Sequence, residues 1–238
     1  MALRPWSPIP IRDCGEPLQE LPPLLQRIEP HPYVAVGAPY GEGVSPFRLR
    51  SGVLQRLLAS QGWLQQERPQ LRLAIFDAWR PLPVQRYMVD FTIASECAAR
   101  GLDPSMASPA VEAVVAEVGR FWAPPSEDPA TPPPHSTGAA VDLTLADADG
   151  GLIDMGSAID AIGAVSEPDH FLSLAQGCSP DEQERYRLWH ERRSLLRSAL
   201  QSAGFAQHPN EWWHFSHGDQ LWAWRTGQVS AIYGRSGC

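Results

Sequence analysis

Residues 123–134 place six prolines in twelve positions, ending in Pro132-Pro133-Pro134. Proline fixes φ and has no amide proton, so neither a helix interior nor a central strand can run through this stretch. A linker between two domains is one reading. The chain has only 238 residues, a length at which single domains are common, so a stiff surface loop delivering His135 is preferred. The excess of proline (24 in all, about twice average usage) does not signal disorder. A hydrophobic share of 43% and nine Trp are enough to bury a core.

The charge balance narrows the function. With 19 Lys+Arg against 27 Asp+Glu the net charge is −8, which argues against a nucleic-acid binder or a protein gripping an anionic membrane. No apolar run approaches the ~20 residues of a membrane span. The first residues show no apolar signal-peptide region, so a cytoplasmic protein is expected. Cys14, Cys97, Cys178 and Cys238 form no C-x-x-C pair and read as isolated reduced thiols. No pattern in the sequence speaks to oligomeric state.

Residues 1–45, punctuated by Pro and Gly, read as an extended strap over the domain. Helices are expected over Gly52–Gln66, from Pro81–Pro83 to about Arg100, and from an N-cap at Ser108 to Trp122. Another follows the capping box Ser179-Pro-Asp-Glu182 and ends at Gly204, with Trp189, Leu196, Leu200 and Ala203 on one stripe. Leu71–Asp77 and Gly138–Leu145 read as strands, Asp147–Gly151 as a turn and Leu152–Asp154 as a returning strand. Gly156–Gly177 reads as loop, and the aromatic Trp212–Phe215 and Leu221–Trp224 as β-like. Helices and antiparallel strands without βαβ alternation give an α+β class, one domain over 1–238.

Three segments concentrate reactive side chains: Phe76-Asp-Ala-Trp-Arg-Pro81, His135-Ser-Thr-Gly-Ala-Ala-Val-Asp142 and Glu211-Trp-Trp-His214. Strand alternation puts Ala140, Asp142 and Thr144 on one face and Val141, Leu143 and Leu145 on the other. Taken singly, His135 and Asp142 fit a surface His and a hydrogen-bonded strand carboxylate. Glu211 and His214, three apart, face one site on a strand only if Glu211 sits at the loop entry, which Pro209-Asn210 permits. A second E-x-x-H, Glu167-Pro-Asp-His170, reads as surface. His135, Asp142 and His214 together make a donor set for catalytic Zn²⁺, which takes three protein ligands and keeps one position open. Glu211 is then the candidate general base. Arg80 is the candidate cation for an oxyanion, the alternative being a surface arginine paired with Asp77.

In this order the blocks H-S-T-G-A-A-V-D-L-T-L, E-W-W-H-F and F-D-A-W-R-P resemble the zinc D-alanyl-D-alanine dipeptidases of the vancomycin-resistance and cell-wall-recycling type. Asp154-Met-Gly-Ser-Ala-Ile-Asp160 is similar to that family's M-G-x-x-x-D stretch. The resemblance spans about Leu71 to Phe215. It implies one zinc per chain on His135, Asp142 and His214, Glu211 as base, Arg80 stabilising the transition state and Asp160 holding the substrate ammonium. It also implies a central antiparallel sheet flanked by helices and a small D,D-dipeptide as partner, in peptidoglycan-peptide turnover. One departure is Pro133, where the family usually has a serine that helps hold the substrate carboxylate; proline offers no hydroxyl or N–H. The N-terminal strap, with Tyr33 and Tyr40, is too divergent for any family contact to be assigned to it.

Two other readings share the site: a D,D-carboxypeptidase or other wall-peptide hydrolase, and a non-catalytic zinc-binding domain. The presence of both Glu211 and Arg80, which a structural site does not need, argues against the last.

Overall fold

A computed structural model describes residues 4–174 and 179–237. Its elements in chain order are β1 (Leu18–Glu20), β2 (Gln26–Arg27), the single-turn α1 (Pro32–Ala35), β3 (Arg48–Arg50), α2 (Ser51–Glu67) and β4 (Arg72–Asp77). They continue with α3 (Leu82–Ala99), α4 (Pro109–Phe121), β5 (Ala140–Ala146), α5 (His170–Leu174), α6 (Pro180–Ser202), β6 (Ala206–Gln207), β7 (His214–Ser216) and α7 (Gln220–Thr226).

The fold is α+β, built on a five-stranded sheet of order β2-β4-β5-β7-β6. The strands β4, β5, β7 and β6 are antiparallel, as expected, whereas the two-residue β2 joins the edge in parallel. Strands β1 and β3 form a separate antiparallel pair. The inward alternation of β5 decides which face is apolar. Val141, Leu143 and Leu145 are fully buried with Leu73 and Ile75 of β4, against Val53, Leu57 and Leu64 of α2 and Leu196 and Leu200 of α6. The other face is covered by α3 and α4, whose Val84, Met88, Val114 and Val118 cluster with Tyr33 and Tyr40 from the N-terminal segment. Asp142 therefore projects between two apolar bodies, on the face that α2 and α6 do not occupy.

Capping side chains set the starts of α4 and α6. Ser108 Oγ accepts from the Val111 amide, and the Ser179–Glu182 capping box is formed reciprocally. Leu152–Asp154 does not return as a strand and leaves only a bridge between Ala146 and Leu152. Asp147 Oδ1 takes the amides of Asp149 and Gly151, and Asp154 turns away to accept from Gly156 N and Trp189 Nε1. Leu221–Trp224 is also not β-like but helical, because Asp219 caps α7 by accepting from Trp222 N and Gly227 ends it at φ +69°. Within the expected loop after Gly156, a 3-10 turn (Ala164–Ser166) and α5 form, with Phe171 packed on Tyr186 and Trp189. The end of that loop, residues 175–177, and Cys178 after it lie outside the described residues, as does Cys238; Cys14 and Cys97 are free thiols. Among the described residues no helix is long and apolar enough to cross a membrane.

Candidate metal centre and its pocket

The centre is assembled by register. Asp142 on β5 lies opposite His214 on β7 and, after an irregularity between Ile75 and Asp77, opposite Asp77 at the end of β4. His135 arrives from the proline loop on a 3-10 turn (Pro134–Thr137) that ends at Gly138 with φ +71°. A Cβ there would stand 2.2 Å from Leu18 Cδ2, so glycine is required twice over. Glu211 sits before β7 and outside its alternation; the His208 amide donating to the His214 carbonyl at 3.0 Å closes the turn that carries it.

His135 Nδ1 lies 2.7 Å from the Ala78 carbonyl, which can only accept. Nδ1 therefore carries the proton, and Nε2 presents a lone pair. That Nε2 is 3.2 Å from His214 Nδ1 and 3.2 Å from Asp142 Oδ2, and His214 Nδ1 is 3.0 Å from Asp142 Oδ1. One ligand atom from each of the three buried residues lies within 4.8 Å of the others. Asp142 Oδ1 and His214 Nε2 are buried without a hydrogen-bond partner. A tetrahedral zinc with bonds of about 2.0–2.2 Å separates its ligands by roughly 3.3–3.6 Å. Lone pairs converging at nearly that spacing fit a metal better than a hydrogen-bond network.

Around these groups the electrostatics are set by burial and by the guanidinium of Arg80. Burial pushes Glu211 well above the usual carboxylate range, reinforced by Asp142 and Asp160. Its Oε1 has no hydrogen-bond partner although His208 Nδ1 is 3.4 Å away, and its Oε2 is 3.6 Å from His214 Nδ1. Arg80 is not the surface arginine of the alternative reading, being 4% exposed. It does pair with Asp77, through Nε and Nη2 at 3.0 and 2.8 Å, and Nη2 also reaches Asp142 Oδ2 at 3.3 Å. Its Nη1 donates to Gln85 Oε1, and the guanidinium lies over the Tyr33 and Trp122 rings. Burial works to raise the Asp77 carboxyl, but Arg80, His31 and His135 outweigh it and hold it at about 2. Asp160 adopts φ +64° and accepts from the Tyr33 hydroxyl at 2.7 Å; burial and Asp142 push its carboxyl up to about 7.

All six residues singled out in the sequence (Arg80, His135, Asp142, Asp160, Glu211 and His214) line one cavity of about 230 Å³, with Pro132, Pro133 and Pro134 in its wall. The second E-x-x-H is elsewhere, with Glu167 pairing Arg120 at the surface. Sequence reasoning missed Asp77 as a hub, although it stands in the quoted F-D-A-W-R-P block, and missed Tyr33, His31 and His208. His31 and Tyr33 come from the N-terminal segment and His208 from far along the chain, and none carries a spacing signal.

The chain is similar to several known proteins. A family model described as D-ala-D-ala dipeptidase matches residues 26–232. A D-alanyl-D-alanine dipeptidase of Synechocystis sp. is 44% identical over 98% of this chain and 97% of its own length. The D-alanyl-D-alanine dipeptidase of Escherichia coli is 27% identical over 61% of this chain and 54% of its own. Among solved structures, a vancomycin resistance D,D-pentapeptidase, VanY, in complex with Zn(II) matches 89% of this chain and 88% of that chain, with 14% identity and a TM-score of 0.46. The matched span encloses every residue of the centre, and the chain belongs to the D-Ala-D-Ala dipeptidase family.

Proposed function

We propose that this protein is a cytoplasmic zinc dipeptidase that hydrolyses D-alanyl-D-alanine, or a close D,D-dipeptide, to free D-amino acids during peptidoglycan-peptide turnover. The observation carrying this reading is the convergence of His135, Asp142 and His214 beside the buried, unpartnered Glu211 oxygen in one small cavity. A volume near 230 Å³ is below the roughly 300–1,000 Å³ of drug-sized sites, which suits a dipeptide. The free thiols Cys14 and Cys97 suit a reducing compartment.

His135, Asp142 and His214 would hold one zinc ion per chain. Zinc supplies Lewis acidity there, lowering the pKa of water towards ~7 and polarising a carbonyl. The roles of the side chains follow from their environments. Glu211, whose burial raises its proton affinity, is suited as a carboxylate to take a proton from the attacking water and, once protonated, to hand it to the leaving amine as the C–N bond breaks. Arg80 stays charged in a site with little water, clamped by Asp77, and stabilises the oxyanion that develops on the carbonyl oxygen. Asp160, held by Tyr33, offers a carboxylate to the substrate's free ammonium.

A panel of D,D, L,D and L,L dipeptides, with a D-Ala-D-Ala-terminated pentapeptide, tests the reading before and after chelation. Release of D-alanine from D-Ala-D-Ala, lost on chelation and restored by zinc, is expected. Cleavage of the pentapeptide alone would replace it with a carboxypeptidase.

A further inference from the structure

The cavity contains a second guanidinium, Arg4, whose commitments differ from those of Arg80. Arg80 donates to Asp77, Gln85, Tyr33 and Asp142, which leaves one Nη1 proton uncommitted, the one available to an oxyanion. Arg4 donates from Nη1 to the Arg120 carbonyl at 3.1 Å and from Nη2 to the Trp122 carbonyl at 3.0 Å, both at the C-terminal end of α4. Two such bonds from a group with five N–H donors leave donors to spare. Among the described residues Arg4 is in no ion pair, and Glu211 is the carboxylate whose charge it feels.

Arg4 is also held in place. Its amide donates to Ser7 Oγ at 3.1 Å. Gln220 Nε2 donates to the carbonyls of Ser7, Ile9 and Ala130, tying the N-terminal segment to the proline loop. Trp6 packs edge-on to His208, with ring centroids 5.5 Å apart. The neighbouring wall offers little to an anion. Pro132, Pro133 and Pro134 have no N–H, and one of the two hydroxyl protons of Ser126 and Thr131 is committed to the 2.8 Å bond between them.

A dipeptide brings two opposite charges, and neither can be left unpaired in a confined site. Arg4 and Asp160 line the same cavity as the three candidate ligands and Glu211, and they bring it opposite charges. The substrate's ammonium and carboxylate therefore each have an oppositely charged side chain in the cavity wall. We infer that Arg4 binds the C-terminal carboxylate of the substrate, so that the N-terminal segment selects free-acid dipeptides. This inference rests on the dipeptidase reading.

The test measures kcat and KM of the zinc-loaded wild type, Arg4→Gln and Arg4→Lys on D-Ala-D-Ala and on its C-terminal amide. A charge-assisted hydrogen bond lost from a substrate costs about 10- to 100-fold. Arg4→Gln should lose that much kcat/KM on the acid, mainly through KM, while changing by less than about threefold on the amide; Arg4→Lys should recover part of the loss. If the wild type cleaves D-Ala-D-Ala but Arg4→Gln leaves the acid-to-amide ratio unchanged, Arg4 only braces α4 and the inference fails alone. If the wild type does not cleave D-Ala-D-Ala, the dipeptidase reading fails with it.

Discussion

Asp77→Asn tests how the centre is held. The carboxylate receives four hydrogen bonds: Arg80 Nε and Nη2 on Oδ2, and His31 Nε2 (3.1 Å) and Tyr40 OH (3.0 Å) on Oδ1. The Tyr33 amide donates to His31 Nδ1 at 3.2 Å, so His31 Nε2 carries its proton and is a donor. All four partners thus donate, and an asparagine NH₂ has to face either Arg80 or His31. Breaking a buried pair while leaving its cation in place costs about 3–5 kcal/mol. For a chain of this length that lowers Tm by about 6–20 °C. The loss has a pH signature. A carboxyl held at about 2 instead of 3.8 contributes roughly 2 kcal/mol, fully present above pH ~4 and lost as pH falls through ~2, with about half gone by pH 3. Thermal unfolding followed by circular dichroism in chelator, which removes the stabilisation by bound metal, gives both numbers. A variant melting within 2 °C of wild type at pH 7, or an unchanged gap at pH 3, would refute the reasoning.

Asp160→Asn should raise KM for D-Ala-D-Ala about tenfold or more, since a charge-assisted contact to the ammonium is lost. It should leave any residual cleavage of the N-acetylated dipeptide unchanged, and initial rates on the two substrates check this. Ser179→Ala removes the capping box of α6. It should cost about 1 kcal/mol and about 2–4 °C in Tm with kcat/KM unaltered, because α6 packs on the sheet face away from the centre.

What the sequence made legible was local. The proline run could only be a loop, so His135 stood at its exit. The alternation of Val141, Leu143 and Leu145 fixed the outward face of Asp142, and Pro209-Asn210 allowed Glu211 to escape the strand period. Capping chemistry located α4 and α6. The errors came where a side chain overrode the pattern: Trp222 and Trp224 suggested a strand, but Asp219 starts a helix there, and Asp147 and Asp154 divert the chain after β5. The hub at Asp77 was beyond sequence reasoning, because its partners His31, Tyr40 and His135 lie 37 to 58 positions from it in sequence and meet it only in the folded chain. Arg4 was hidden for the same reason, since its neighbours in space, Trp122 and Glu211, share no segment with it.

The central claim is that three residues hold zinc and a fourth, Glu211, moves the proton. Zinc content and D-alanine release measured together on wild type and Glu211→Gln test it most directly. The prediction is one zinc per chain in both proteins and a fall in turnover of at least about a thousandfold in the variant, within the range expected for losing a general base and its electrostatic contribution. A variant that keeps near-normal turnover, or a wild type that cleaves D-Ala-D-Ala with no zinc bound, would contradict the account.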